Sequence, residues 1–223
     1  MNRSNGLKQI RLNQFHQFNP CAIALKDEKL DAQKFIIDSL NESSETKLKI
    51  KDQLADEIIK AVDILVSAYK EGNKLLLCGN GGSAADCQHI ATELMIRLSH
   101  HIQRPALPAI ALTTDTSNLT AGGNDIGFEN VFARNVEGLG NKGDVLLAIS
   151  TSGNSPNVIK AVEMAHKKGM KVISFLGGNG GKLKPLVDLS IVIPSSNAQR
   201  IQEGHITVAH IICELVEETL YGQ

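Results

Sequence analysis

Lys74-Leu75-Leu76-Leu77-Cys78-Gly79-Asn80-Gly81-Gly82-Ser83 is the stretch on which the fold turns. A short apolar run of strand length meets a glycine loop, and a helical pattern from about Ala84 to Leu98 follows at once. The same order recurs downstream. Ala109 to Leu112 leads into Thr113-Thr114-Asp115-Thr116-Ser117, and Val145 to Ile149 leads into Ser150-Thr151-Ser152-Gly153-Asn154-Ser155. Pro156 then suits the first position of a helix that reaches Lys168. Lys171 to Leu176 and Leu189 to Ile193 read as two more strands, and Gln199 to Leu220 as a long final helix. Upstream, Glu28 to Glu71 reads as two helices broken around Asn41-Glu42-Ser43-Ser44, with Leu48, Ile50, Leu54, Ile58, Ile59, Val62, Leu65 and Val66 as the apolar stripe. Short β-branched runs alternating with helices predict an α/β fold: a five-stranded parallel sheet flanked by helices on both faces, with an N-terminal helical layer. One domain is expected over residues 28–223, preceded by a loosely ordered extension over 1–27.

Composition narrows the function. The 223 residues carry 23 Lys plus Arg against 24 Asp plus Glu, so the basic surplus of a nucleic-acid binder is missing and no such partner is expected. The four cysteines contain no C-x-x-C pair, which argues against a disulfide framework and for a reducing, cytoplasmic setting. No apolar run approaches the roughly 20 residues of a membrane-spanning helix, so no membrane partner is expected either. Residues 1–26 hold no acid and four basic residues, faintly like a transit peptide, yet they are poor in Ser and are read as an extension.

In a parallel sheet, ligands bind beyond the carboxyl ends of the strands. That rule places the loops at 79–83, 113–125 and 150–155 on one rim. Ser150, Thr151, Ser152 and Ser155 bring four hydroxyls to a helix N-terminus, where free amides and the helix dipole favour an anion such as phosphate. The plainer reading, a capping serine in an ordinary turn, accounts for one hydroxyl only. Gly79-x-Gly81-x-x-Ala84 matches a dinucleotide fingerprint formally, but the expected acid about 20 residues on is absent and Asp115 lies too far along. These glycines therefore read as a place where a small ligand meets the backbone, with Ser83 facing it. His89 and Glu93, spaced i, i+4, share a helix face and can hold a divalent ion or act as an acid/base pair; alone, such a pair is commonly a solvated contact. Polar Gln202, Glu203, His205 and His210 punctuate the apolar final helix. Gln202 and His210 are eight residues apart, about 12 Å along a helix, so spacing does not establish that they share an ion.

Taken in order, these motifs resemble the phosphoheptose isomerase family. The residues that carry the resemblance are Cys78 to Ser83 with Asp86, His89 and Glu93; Gly123-Asn124-Asp125; Ser150 to Ser155; and Arg200-Ile201-Gln202-Glu203 with His205 and His210. The resemblance spans about residues 45–220 and implies the sugar isomerase (SIS) fold, a sugar phosphate substrate, and a homotetramer with active sites between subunits. It also implies that Ser83, Ser150, Thr151, Ser152 and Ser155 hold the phosphate, while Asn80, Gly81, Gly82, Asn124 and Asp125 contact the sugar chain. Glu93 and Gln202 would face substrate as well. Zinc, one ion per subunit, would be held by His89, Glu93, Gln202 and His210, and the acid/base residues would be Glu93 and His210. The implied reaction is conversion of D-sedoheptulose 7-phosphate to D-glycero-D-manno-heptose 7-phosphate, feeding ADP-heptose and lipopolysaccharide core synthesis. Thr92 replaces a Glu common in the family, and residues 1–26 have no counterpart in it. Related SIS proteins that act as non-enzymatic regulators replace the residues matching Glu93 and His210; this chain keeps both.

Overall fold

The computed structural model describes residues 30–222, so the extension expected over 1–27 lies outside the described residues. Two helices open the fold, α1 (Ala32–Gln53) and α2 (Ala55–Lys70). Then come β1 (Leu75–Gly79), α3 (Gly82–Met95), β2 (Ala109–Ala111), α4 (Thr116–Gly122), α5 (Val131–Leu139), β3 (Val145–Ser150), α6 (Pro156–Lys167), β4 (Lys171–Gly177), β5 (Leu189–Ile193) and α7 (Ala198–Tyr221). All strand pairs are parallel, in the order β2-β1-β3-β4-β5. The chain therefore reverses direction across the sheet between β1 and β3, the switch point outside which ligands bind in parallel sheets.

Strand alternation assigns the two faces. Leu75, Leu77, Leu147, Ile149, Ile173 and Phe175 point into one core with α2, α3 and α7, while Leu76, Cys78, Leu146, Ala148, Val172 and Leu176 point into the other beneath α5 and α6. Burial on both faces explains why β1 and β3 are apolar throughout, with no polar alternation. Cys78, Cys87 and Cys213 are buried free thiols; burial pushes Cys78 and Cys213 up to about 12, so they serve as core residues.

The helical layer departs from its sequence reading in two places. α1 runs unbroken through Asn41–Ser44 and ends at Gln53, with the bend at Leu54. The polar tract stays helical because α7 grips it: Asn197 Nδ2 donates to the Glu42 carboxylate at 2.9 Å and Arg200 donates to the Ser39 carbonyl. Tertiary bonds here outweigh the weak helix propensity of Asn and Ser. Leu48 and Ile59, assigned to the buried stripe, are exposed. Between β2 and β3, α4, a π-turn over Gly123–Gly127 and α5 occupy a stretch for which the sequence reading offered no helix.

Candidate active site

The rim is built where β1, β3 and β4 end. After β1, Gly81 adopts φ +55° and opens α3, and Ser83 N–H donates to the Asn80 carbonyl at 3.0 Å. Ser83 itself is buried against Gly79, where any Cβ would lie 2.9 Å from its own. The Asn80 side chain pairs reciprocally with that of Asn157, at 2.9 and 2.8 Å, which ties the first rim loop to the start of α6. Asn157 was not singled out from the sequence. It reads there as the second residue of a helix, and only the fold reveals that it is buried opposite Asn80.

After β3, the Ser150 and Ser155 hydroxyls lie 3.0 Å apart. Ser155 is the N-cap residue of α6 yet makes no side-chain capping bond, so the plain capping reading fails. Its hydroxyl turns to Ser150 instead, and of the residues opening α6 Pro156 has no N–H and Val158 N–H donates to Asn157 Oδ1, which leaves the Asn157 amide at the helix end. Thr151 and Ser152 complete the loop, with Ser152 Oγ accepting from Asn154 N–H at 3.2 Å. A second glycine loop, Gly177-Gly178-Asn179-Gly180-Gly181, packs against the hydroxyl loop. Gly153 has φ +65°, and a Cβ there would overlap the Gly180 carbonyl, so the two backbones touch. This second loop also went unremarked in the sequence, because its role depends on β3 and β4 being neighbours.

The His–Glu pair meets its partner across the helices. His89 Nε2 lies 2.9 Å from Glu93 Oε1 on α3, and His210 Nε2, from α7, lies 3.3 Å from His89 Nε2. The ligating atoms of the three residues fall within 4.8 Å of one another. Gln202 sits near the start of α7, where its carboxamide packs on Gly82 at the opening of α3; a Cβ on that glycine would stand 2.7 Å from Gln202 Nε2. Asn124 Nδ2 donates to Asp125 Oδ1 at 2.7 Å within the π-turn, and both side chains are exposed. Asp86, one turn before His89, makes no hydrogen bond to it; one carboxylate oxygen is enclosed without a partner, and burial raises its pKa despite the nearby imidazole.

This donor set fits a divalent cation. His89 Nε2 carries at most one hydrogen, yet both a carboxylate oxygen and a second imidazole nitrogen face it. One shared cation would satisfy all three, and two imidazoles with a carboxylate are a common ligand set for zinc.

Hydroxyl loop and glycine loop at the carboxyl edge of this parallel sheet fit a sugar isomerase (SIS) protein, and residues 40–177 match the family model described as the SIS domain. More narrowly, the chain belongs to the phosphoheptose isomerase family. It is 48% identical over 201 residues to the phosphoheptose isomerase of Pelodictyon phaeoclathratiforme, covering 90% of this chain and 95% of that one. The solved phosphoheptose isomerase of Neisseria gonorrhoeae superposes with a TM-score of 0.78 at 41% identity, over 83% of this chain and 98% of that one. The Francisella tularensis phosphoheptose isomerase gives a TM-score of 0.81 at 38% identity, over 85% and 100% respectively.

Proposed function

We propose that this protein is an aldose–ketose isomerase that converts D-sedoheptulose 7-phosphate to D-glycero-D-manno-heptose 7-phosphate, the aldose that feeds ADP-heptose and lipopolysaccharide core synthesis. The observation that carries the reading is the meeting of His89, Glu93 and His210 on α3 and α7, with α3 leading directly from the first rim loop. The phosphate sits at Ser83, Ser150, Thr151, Ser152 and Ser155, where hydroxyls and loop amides replace its water without a fixed positive charge. Asn80, Gly81, Gly82, Asn124, Asp125 and Gln202 line the path of the sugar chain.

In the reaction the C1 proton of the ketose moves to C2, while the C1 hydroxyl loses its proton and the C2 oxygen gains one. Glu93 takes the C1 proton, which leaves an enediolate, and returns it at C2; His210 is the opposing acid/base. His89 Nε2 lies 2.9 Å from Glu93 Oε1 one turn along α3, so the two side chains face the same point opposite His210. A zinc ion, one per subunit, would be held by His89, Glu93, Gln202 and His210 and would supply polarisation of the substrate oxygens.

The protein works as a cytoplasmic homotetramer with active sites between subunits. Exposed Phe35, Ile36, Ile37 and Leu40 on α1 support this assembly, since an apolar surface of that kind calls for a protein partner. Among the described residues no helix is long and apolar enough to cross a membrane.

The test is turnover of sedoheptulose 7-phosphate by purified protein before chelation, after it, and after zinc is returned. Activity lost to chelator and restored by zinc supports the whole reading. Chelator-indifferent turnover removes the metal, and phosphosugar binding without turnover makes the protein a regulatory SIS module.

A further inference from the structure

Arg104 lies in the segment between α3 and β2, far from any motif, yet its side chain is 1% exposed and makes four hydrogen bonds. Nε donates to Glu217 Oε1 at 2.8 Å, and Nη2 reaches the same oxygen at 2.7 Å. Nη2 also donates to the Glu93 carbonyl at 2.8 Å, while Nη1 donates to the carbonyls of Leu94 at 2.8 Å and Pro105 at 2.9 Å. Glu217, equally buried, accepts in addition from the Leu98 and Ser99 amides at 3.0 and 2.9 Å. Burial pushes this carboxyl up, but those amides and the guanidinium outweigh it and hold it below its ordinary value. The pair is therefore charged and held in a network of hydrogen bonds.

Its position is the informative part. Glu93 and Leu94 belong to the last turn of α3, whose carbonyls have no partner within the helix. Arg104 supplies that partner to the backbone of Glu93 itself. Glu217 stands on α7 seven residues beyond His210, two helical turns along nearly the same face. One guanidinium thus joins the turn bearing Glu93 to the helix bearing His210.

We infer that Arg104 and Glu217 are positioning residues for the isomerisation: their buried ion pair sets the separation of Glu93 from His210. The inference rests on Glu93 and His210 as the working pair. The phosphate loops do not depend on the clamp, because Ser83 lies ten residues before Glu93, about 15 Å along α3, and the hydroxyl loop is held by β3, β4 and α6. Damage to the clamp should therefore appear in kcat and spare KM. A displacement near 1 Å at reacting groups costs about 100-fold in rate.

The experiment compares Arg104→Lys with the double variant Arg104→Met/Glu217→Met, measuring kcat, KM and thermal unfolding on the full-length protein. Lysine keeps the charge but lacks the five-donor fork. The double variant removes both charges together and leaves no buried charge unpaired, while the Leu98 and Ser99 amides and the Glu93 carbonyl lose these partners and lower its unfolding temperature. The expected result is a kcat lowered about 10- to 100-fold with KM within about twofold, in a double variant assayed well below its own unfolding temperature. Wild-type kcat in either folded variant would overturn the inference, as would losses that appear in KM alone. Should the double variant fail to fold, Arg104→Lys assayed well below its own unfolding temperature decides the matter by the same split. Glu93→Gln, run in parallel, separates the two layers. If it is inactive while the clamp variants turn over normally, the clamp alone is overturned; if it is active, the working pair falls and the clamp inference with it.

Discussion

Gly82→Ala tests the rim with one methyl group. Gly82 opens α3 without a positive φ, so the backbone accepts alanine, and the only obstacle is Gln202, whose Nε2, Cδ and Oε1 would lie 2.7, 3.0 and 3.1 Å from the new Cβ. Ordinary contact begins at about 3.5 Å, so the carboxamide must retreat by roughly 0.8 Å. Because it is the far end of a flexible side chain, the retreat costs about 0.5–1.5 kcal/mol in rotamer strain. Alanine returns up to about 1 kcal/mol in helix propensity. The two nearly cancel, and the unfolding temperature should move by no more than about 4 °C. Activity should not be spared: a shift of this size at a group that faces the substrate predicts a loss of about 10- to 100-fold in kcat/KM. The assay is a double-mutant cycle with Gln202→Ala, reading kcat/KM and thermal unfolding in all four proteins. If the methyl acts through Gln202, it should cost nothing further once Gln202 is gone. An equal loss in both backgrounds would refute this reasoning and mean that the methyl meets the substrate directly, while full activity of Gly82→Ala would show that the carboxamide position is immaterial.

Glu93→Gln should abolish turnover yet leave sugar phosphate binding nearly intact by calorimetry; retained turnover would remove Glu93 as the base. Burial lowers the pKa of His205 to about 4, against a bond from Nε2 to the Leu176 carbonyl at 2.9 Å that raises it. The unfolded chain therefore takes up a proton that the folded protein refuses. Stability from this group is complete above about pH 6.5 and declines as pH falls to about 4, by about 3 kcal/mol in all. Urea unfolding of wild type and His205→Gln at pH 7 and pH 4.5 should show a smaller pH effect in the variant, and an equal effect would contradict the assignment. Gly153→Ala, which needs φ +65° and drives a Cβ into the Gly180 carbonyl, should destabilise the protein by several kcal/mol and weaken phosphate binding. Normal affinity and an unchanged unfolding temperature would mean that the two rim loops do not support each other.

Much of this protein can be read along the chain. The apolar runs of β1 and β3, the glycine and serine loops after them, and the i, i+4 placement of His89 and Glu93 are local patterns, governed by period and turn chemistry within a few residues. The apparent break at Asn41–Ser44 misled because helix propensity there was weak and the residues that override it, Asn197 and Arg200, lie more than 150 positions away. Asn157 opposite Asn80, Gly180 beneath Gly153, and Arg104 between Glu93 and Glu217 carry no local signature, since each depends on which strands are neighbours and how α3 lies on α7. The sequence by itself determined the layers of the fold, the chemistry of the rim and the side chains available to a metal. Only the tertiary structure decided that His210 comes within 3.3 Å of His89, because that distance belongs to the packing of two helices and to no spacing along either one.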